Sequence, residues 1–387
     1  MSIYLDNAAT AKYIKNRDDV IIEAIIESMK TSWQNPSSSY FSSQSVKKII
    51  NKCRENISKF IGAESEEIIF TSGASESNNQ AIRGWADEVW LKTYKTPYII
   101  STSIEHKSII KLLEESNLDA STMFCAVDKF GIIDYKSLER QLLISRNMPV
   151  LVTVGMANNE IGTIQDIRKI SDIVHKYNSI LHVDATQVFG KIPIDVKELG
   201  IDMMSVSGHK ISPVLKGIGF LYKKNNINIQ PLIYGTQENG YRGGTENTFG
   251  IIGLSKAVEL CDINQEKIEE FCKKRDYFYD LLESKFGCKL NGHPINRLPN
   301  NINITFSQEI TGESLLYTLD LEAIQVSTGS ACNSQAIEPS HVLKAIGLTN
   351  DEAARTIRIS IPDNITYEEI DFVVNEIDKA IQLIELC

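Results

Sequence analysis

Met203-Met204-Ser205-Val206-Ser207-Gly208-His209-Lys210 runs from apolar residues through a turn of small ones to a lysine. Apolar strands of α/β proteins end where a crevice begins, so groups at their carboxyl ends are placed to meet ligands. Lys210 is therefore either an ordinary solvated cation or an amine set to condense with an aldehyde. Two further stretches bear on the choice. Leu181-His182-Val183-Asp184-Ala185-Thr186-Gln187 puts an acid at the end of an apolar strand. Asp184 there either caps the next turn or pairs with a cation. Phe70-Thr71-Ser72-Gly73-Ala74-Ser75-Glu76-Ser77-Asn78-Asn79 turns from strand into helix through small residues. Free amides at such a turn make an anion site, or the serines simply cap the helix.

An amine, a carboxylate and a phosphate-sized turn are the three handles that pyridoxal phosphate needs. An acid against its pyridine nitrogen keeps the ring protonated and able to withdraw electrons. Lys210 must lose its proton to condense, which partial burial and a cationic neighbour such as His209 would favour. His106, at the end of another strand, is either structural or an imidazole that stacks on a flat ring and moves protons near neutral pH. Cys332 lies in the small, polar stretch Val326-Ser327-Thr328-Gly329-Ser330-Ala331-Cys332-Asn333-Ser334. It is either a tolerated surface thiol or one whose mobile loop lets it visit a buried site. Arg358 alternates with isoleucines in Ile357-Arg358-Ile359. That pattern suits a core ion pair or a fork for a substrate carboxylate.

The spacing predicts the elements that would position these groups. Helical periodicity covers 18–31, 43–61, 78–88, 108–116 and 165–177, then one or two long helices over 248–285. Apolar runs ending at Thr71, Thr102, Val154, Asp184, Ser207 and Tyr222 read as strands. Strands alternating with helices over this length predict an α/β fold, with a mostly parallel sheet covered by helices on both faces. Strands 301–306 and 356–361 with helices 311–319 and 366–384 predict a smaller α+β C-terminal domain. The expected division is 15–260 for the large domain, and 1–14 with 261–387 for the small one.

Bulk properties exclude several classes of function. The chain has 387 residues, 42% hydrophobic and 23% charged, with a net charge of −10. Such a balance argues against nucleic-acid binding as the main task. No run reaches the roughly 20 apolar residues that span a bilayer, and the N-terminus lacks signal-peptide character. A cytoplasmic location without membrane contact is expected. The seven cysteines are Cys53, Cys125, Cys261, Cys272, Cys288, Cys332 and Cys387, with no Cys-x-x-Cys among them. An odd count in a long chain argues against a disulfide framework, and no metal site is expected. Neither a G-x-G-x-x-G nor a Walker lysine is present, which argues against nicotinamide and nucleoside triphosphates.

Taken together these motifs resemble the cysteine desulfurases of the NifS/IscS type, in the class V branch of fold-type I pyridoxal-phosphate enzymes. The resemblance runs from Tyr4-Leu5-Asp6-Asn7-Ala8-Ala9-Thr10 to Ile357-Arg358. It also takes in Glu105-His106-Lys107, Asn158-Asn159-Glu160-Ile161-Gly162, Gly329-Ser330-Ala331-Cys332 and Glu338-Pro339-Ser340. It implies that Lys210 holds the cofactor covalently, Asp184 pairs with the pyridine nitrogen and Gln187 meets the phenolic oxygen. His106 would stack on the ring. Ala74, Ser75, Ser207 and His209 would bind the phosphate, and Thr245 the phosphate of a neighbouring subunit in a homodimer. Asn159 and Arg358 would hold the carboxylate of L-cysteine. Cys332 would take the sulfur as a persulfide, leave L-alanine, and pass the sulfur to acceptor or scaffold proteins for iron–sulfur cluster assembly or for RNA or DNA thiolation. A passing contact of Cys332 with a nascent cluster is also implied.

The sequence departs from the family pattern at four places: Ile211-Ser212-Pro213-Val214-Leu215-Lys216-Gly217, Tyr40, Gly235-Thr236-Gln237-Glu238-Asn239, and Ser75 in place of threonine. A selenocysteine lyase or another class V lyase or aminotransferase is the rival within enzymes, and such a lyase would not need Cys332. A binding protein that kept the fold without the activity is the rival outside them.

Overall fold

The computed structural model describes residues 2–328 and 339–386. Its centre is a seven-stranded sheet in the order Ile68–Thr71, Gly219–Lys223, Met203–Ser207, Ile180–Asp184, Val150–Gly155, Tyr98–Thr102, Ser121–Cys125. Gly219–Lys223 runs antiparallel to both its neighbours and the other pairings are parallel. Side chains alternate between faces along a strand. Val150, Val152, Val154, Met204 and Val206 enter one core, while Leu151 and Met203 enter another on the opposite face. Burial on both sides explains why these strands read as unbroken apolar runs.

Parallel pairing brings the carboxyl ends of three strands into one row. Gly155 lies opposite Asp184, and Asp184 opposite Ser205. A separate core gathers Ile3, Leu5, Phe278, Ile302, Ile304, Ile357 and Ile359. It backs a four-stranded antiparallel sheet in the order Ser327–Thr328, Thr356–Ser360, Asn301–Thr305, Lys289–Leu290. The N-terminal strand Ile3–Tyr4 pairs in parallel with Ile324–Gln325, which ties the start of the chain to this second core.

Several elements differ from the expectation. The helix after Gly73 begins at Ala74 rather than 78 and runs to Thr93, because small polar residues are tolerated in a first turn. The 248–285 stretch resolves into Thr248–Glu259 and Gln265–Phe286, with Asn264 capping the second helix and Gly287, at φ 61°, ending it. Strand Ser121–Cys125 and helix Tyr135–Ile144 are additions to the expected elements. The strand forms the sheet edge and is mostly half-exposed, so its apolar signal is weak. The helix buries Leu138 and Leu142, a short stripe.

A buried ion pair fastens the unusual 235–239 segment. Arg54 forks onto Glu238 at 2.7 Å through both Nη atoms and donates to the Ile68 carbonyl at 2.6 Å. Glu238 also accepts the Phe70 amide at 2.8 Å. Glu238 and Asn239 both adopt left-handed backbone, at φ 47° and 56°. Arg54→Ala leaves a buried, unpaired carboxylate, so urea unfolding should show a loss of about 3–5 kcal/mol. A loss below about 1 kcal/mol would mean the pair behaves as a solvated surface bridge.

Candidate active site

A cavity of about 450 Å³ opens at the carboxyl ends of the parallel strands. Lys210 closes the short 3₁₀ turn Gly208–Lys210 that follows strand Met203–Ser207. Its ammonium donates to the carbonyls of Ala8 and Ala9 at 2.6 and 2.8 Å. Asp184 ends its strand on the same wall. It accepts from Asn78 Nδ2 at 2.8 Å and from the Thr186 amide at 3.0 Å, which fixes the carboxylate's orientation. Asn78 in turn donates to Ser108 Oγ at 3.0 Å. Behind Asp184, the fully buried His182 bridges three strands, with Nδ1 2.8 Å from Thr153 Oγ1 and Nε2 2.9 Å from Ser205 Oγ. Burial pushes its pKa down to about 4, so the ring is neutral near pH 7.

His106 is the N-cap of helix Lys107–Glu115 and borders the cavity. Its Nδ1 accepts the Ser108 amide at 3.1 Å, which leaves Nε2 to carry the proton of the neutral ring. The surrounding protein lowers its pKa, chiefly by desolvation, while Asp184 works in the opposite direction. Glu105 is buried beside it and accepts from Thr102 Oγ1 at 2.5 Å and the Gly155 amide at 2.6 Å. Burial, aided by repulsion from Asp184, raises Glu105 to about 8 against those two hydrogen bonds.

The Gly73 turn has the makings of an anion cradle. The first helical hydrogen bond runs from the Ser77 amide to the Gly73 carbonyl, at 3.1 Å. The amides of Ala74, Ser75 and Glu76 therefore have no acceptor within the helix. Gly73 sits at φ 148°, a conformation other residues rarely adopt, with Ser207 Oγ 3.2 Å from where a Cβ would stand. His209 contributes a buried Nε2 with no partner. These are the features of a site shaped for phosphate.

On the opposite wall Arg358 projects from strand Thr356–Ser360. It donates to Asp6 Oδ1 at 2.6 Å and to the Asn159 carbonyl at 3.2 Å, and its buried Nε has no partner. Next along the chain from Asn159, Glu160 accepts Ser340 Oγ at 2.5 Å. His341 Nε2 lies 3.0 Å from the Glu105 carbonyl. The segment that follows residue 338 is thus fastened to the neighbours of both Asn159 and His106.

Ala74, Ser75, His106, Asn159, Asp184, Gln187, Ser207, His209, Lys210 and Arg358 all line this one cavity. Gln187 donates to the Ala8 carbonyl at 3.0 Å. Thr245 does not line it and is exposed in the loop before helix Thr248–Glu259. Cys332 lies outside the described residues. One expectation needs correcting. His209 is no cationic neighbour to Lys210, because burial together with Lys210 itself pushes its pKa down to about 4. Sequence reasoning gave no role to Asp6, Asn78, Glu105 or His182. Each stands inside a motif already singled out, but its contact lies with a distant segment. Among the described residues no cluster suited to a metal is present, and no helix is long and apolar enough to cross a membrane.

The chain is similar to known proteins over nearly its whole length. The family described as aminotransferase class-V matches residues 3–373. A cysteine desulfurase IscS of Dictyoglomus turgidum is 41% identical over 386 residues, covering 98% of this chain and 94% of its own. One from Methanosarcina thermophila is 39% identical, covering 98% and 92%. Among solved structures, a NifS-like protein superposes with a TM-score of 0.89 at 32% identity, covering 99% of this chain and all of its own. SspA in complex with cysteine gives 0.80 at 34% identity, covering 94% of this chain and all of its own.

Proposed function

We propose roles for these residues from the premise that the chain belongs to the aminotransferase class-V family and is a cysteine desulfurase. The observation that carries the assignment is the convergence of Lys210, Asp184, His106 and Arg358 on one cavity beside an amide-lined turn. The family works with pyridoxal phosphate, which when bound withdraws electrons from the substrate carbon and loosens its bonds. The orphaned His209 Nε2, the free amides after Gly73 and the oriented carboxylate of Asp184 fit that group.

Lys210 supplies the amine that holds the cofactor, breaking its contacts with the Ala8 and Ala9 carbonyls to do so. Asp184, aligned by Asn78, keeps a proton on the pyridine nitrogen. Gln187 meets the phenolic oxygen. Ala74, Ser75, Ser207 and His209 take the phosphate. His106 covers the ring and offers its Nε2 proton. Exposed Thr245 reaches the phosphate of a second copy, which makes the enzyme a homodimer. The cores described above would correspond to a large domain, 15–260, and a small one, 1–14 with 261–387.

Asn159 and Arg358 hold the carboxylate of L-cysteine, with Asp6 keeping the guanidinium in place. The Cys332 thiolate then attacks the substrate sulfur. A sulfur–sulfur bond forms, the carbon–sulfur bond breaks, and the carbon gains a proton and leaves as L-alanine. The resulting persulfide passes to an acceptor protein. Matching release of sulfide and alanine from L-cysteine with a reductant tests the whole reading.

The carboxylate fork has its own test. Arg358→Lys keeps the charge and the Asp6 partner but loses the planar pair of donors. Losing a charge-assisted hydrogen bond costs about 1.5–3 kcal/mol. KM for L-cysteine should rise about 10- to 100-fold, with the bound cofactor's absorption unchanged. An unchanged KM would remove Arg358 from substrate binding.

A further inference from the structure

A second cavity, of about 460 Å³, lies behind the first. Residues 6–14 form the wall between them. Asp6, Ala8 and Ala9 line the first cavity, while Asn7, Ala11, Lys12 and Ile14 line the second. Lys210 borders both, and the carbonyls it donates to belong to that wall.

The second cavity is rich in cations. Three of them are answered by acids within it: Arg17 by Asp363 at 3.5 Å, Lys274 by Glu270 at 3.4 Å, and Lys267 by Asp262. Lys12 and Lys191 make no ion pair among the described residues. Lys191 has three donors and gives one to the Gln187 carbonyl at 2.8 Å. Desolvation, reinforced by repulsion from Lys210, pushes half-buried Lys191 down to about 7. Asn300 lines the same cavity, is 3% exposed, and leaves its Oδ1 without a partner. That oxygen is an acceptor for a ligand hydroxyl. The volume falls within the range of small-molecule sites.

We propose that this second cavity binds a small hydroxylated polyanion, a hydroxy-polycarboxylate or a phosphate compound, through Lys12 and Lys191, and that its occupancy is felt by Lys210 across the shared wall. The second half rests on Lys210 holding the cofactor. The first half does not. An anion there favours the protonated form of nearby lysines, so a bound ligand opposes the loss of the Lys210 proton and slows turnover.

Citrate and inorganic pyrophosphate are suitable probes, titrated calorimetrically into the full-length, cofactor-loaded enzyme. Saturating L-alanine, present throughout, occupies the substrate carboxylate site. Saturable binding is expected for at least one probe, and the better of the two tells carboxylate from phosphate chemistry. Lys191→Met and Lys12→Ala should each weaken it at least about tenfold. No binding in the presence of L-alanine, or affinity in both variants equal to the parent's, overturns the site. Binding that leaves the bound cofactor's absorption unchanged overturns the coupling to Lys210. Failure of the cofactor assignment would appear instead in Lys210→Ala and would leave the calorimetry unaffected.

Discussion

Lys210→Ala should stop turnover of L-cysteine. The lysine is the amine at the mouth of the parallel sheet, 2.6 and 2.8 Å from two backbone carbonyls that keep it at the cavity wall. Removing it leaves Asp184, His106 and the Gly73 turn in place. On the roles proposed above, the variant should therefore still take up pyridoxal phosphate, more weakly and with an altered absorption band, for want of the covalent hold. Loss of a group that forms a covalent bond in the reaction costs at least about 10³-fold in kcat. The decisive comparison is the spectrum together with sulfide release. Activity within tenfold of the parent would mean that another amine holds the cofactor.

Cys332→Ala should be almost as damaging, for a different reason and with a different signature. The cofactor's absorption should be unchanged, while sulfide release from L-cysteine falls at least about 10³-fold. The parent enzyme, incubated with L-cysteine, should carry one extra sulfur on Cys332 by mass spectrometry, and the variant none. The described thiols offer no replacement. None of Cys53, Cys125, Cys261, Cys272 or Cys288 lines the first cavity. Each has its pKa raised chiefly by burial, to about 11 for Cys261 and about 12 for Cys288, which denies it the thiolate that attacks sulfur. Sustained turnover without Cys332 would point to a lyase that releases sulfur without a protein thiol.

Both predictions involve residues legible in the sequence. Lys210 and Asp184 sit at the ends of short apolar runs, and a parallel strand announces itself by such a run. His106 and the Gly73 turn were found in the same way. Local pattern placed them, because strand ends and helix starts are set by neighbouring residues: an apolar stretch extends, small polar residues turn it, and a helix begins; their roles came from the family resemblance. The edge strand Ser121–Cys125 escaped for the converse reason, since a strand half-exposed at the edge has no sustained apolar pattern.

What the chain determined by itself was the inventory of reactive groups, the α/β alternation and the order in which the groups appear. Tertiary structure decided which of them meet, and in what state of charge. Asp6 reaches Arg358 across 352 positions, and Asn78 reaches Asp184 across 106. The neutrality of His209 and the weakened acidity of Glu105 come chiefly from burial in the folded chain. The thin wall of residues 6–14 between two cavities exists because the N-terminal strand crosses over to pair beside Ile324–Gln325. Spacing along a chain fixes local geometry. Desolvation and long-range pairing depend on what packs against a group, and no local pattern carries that information.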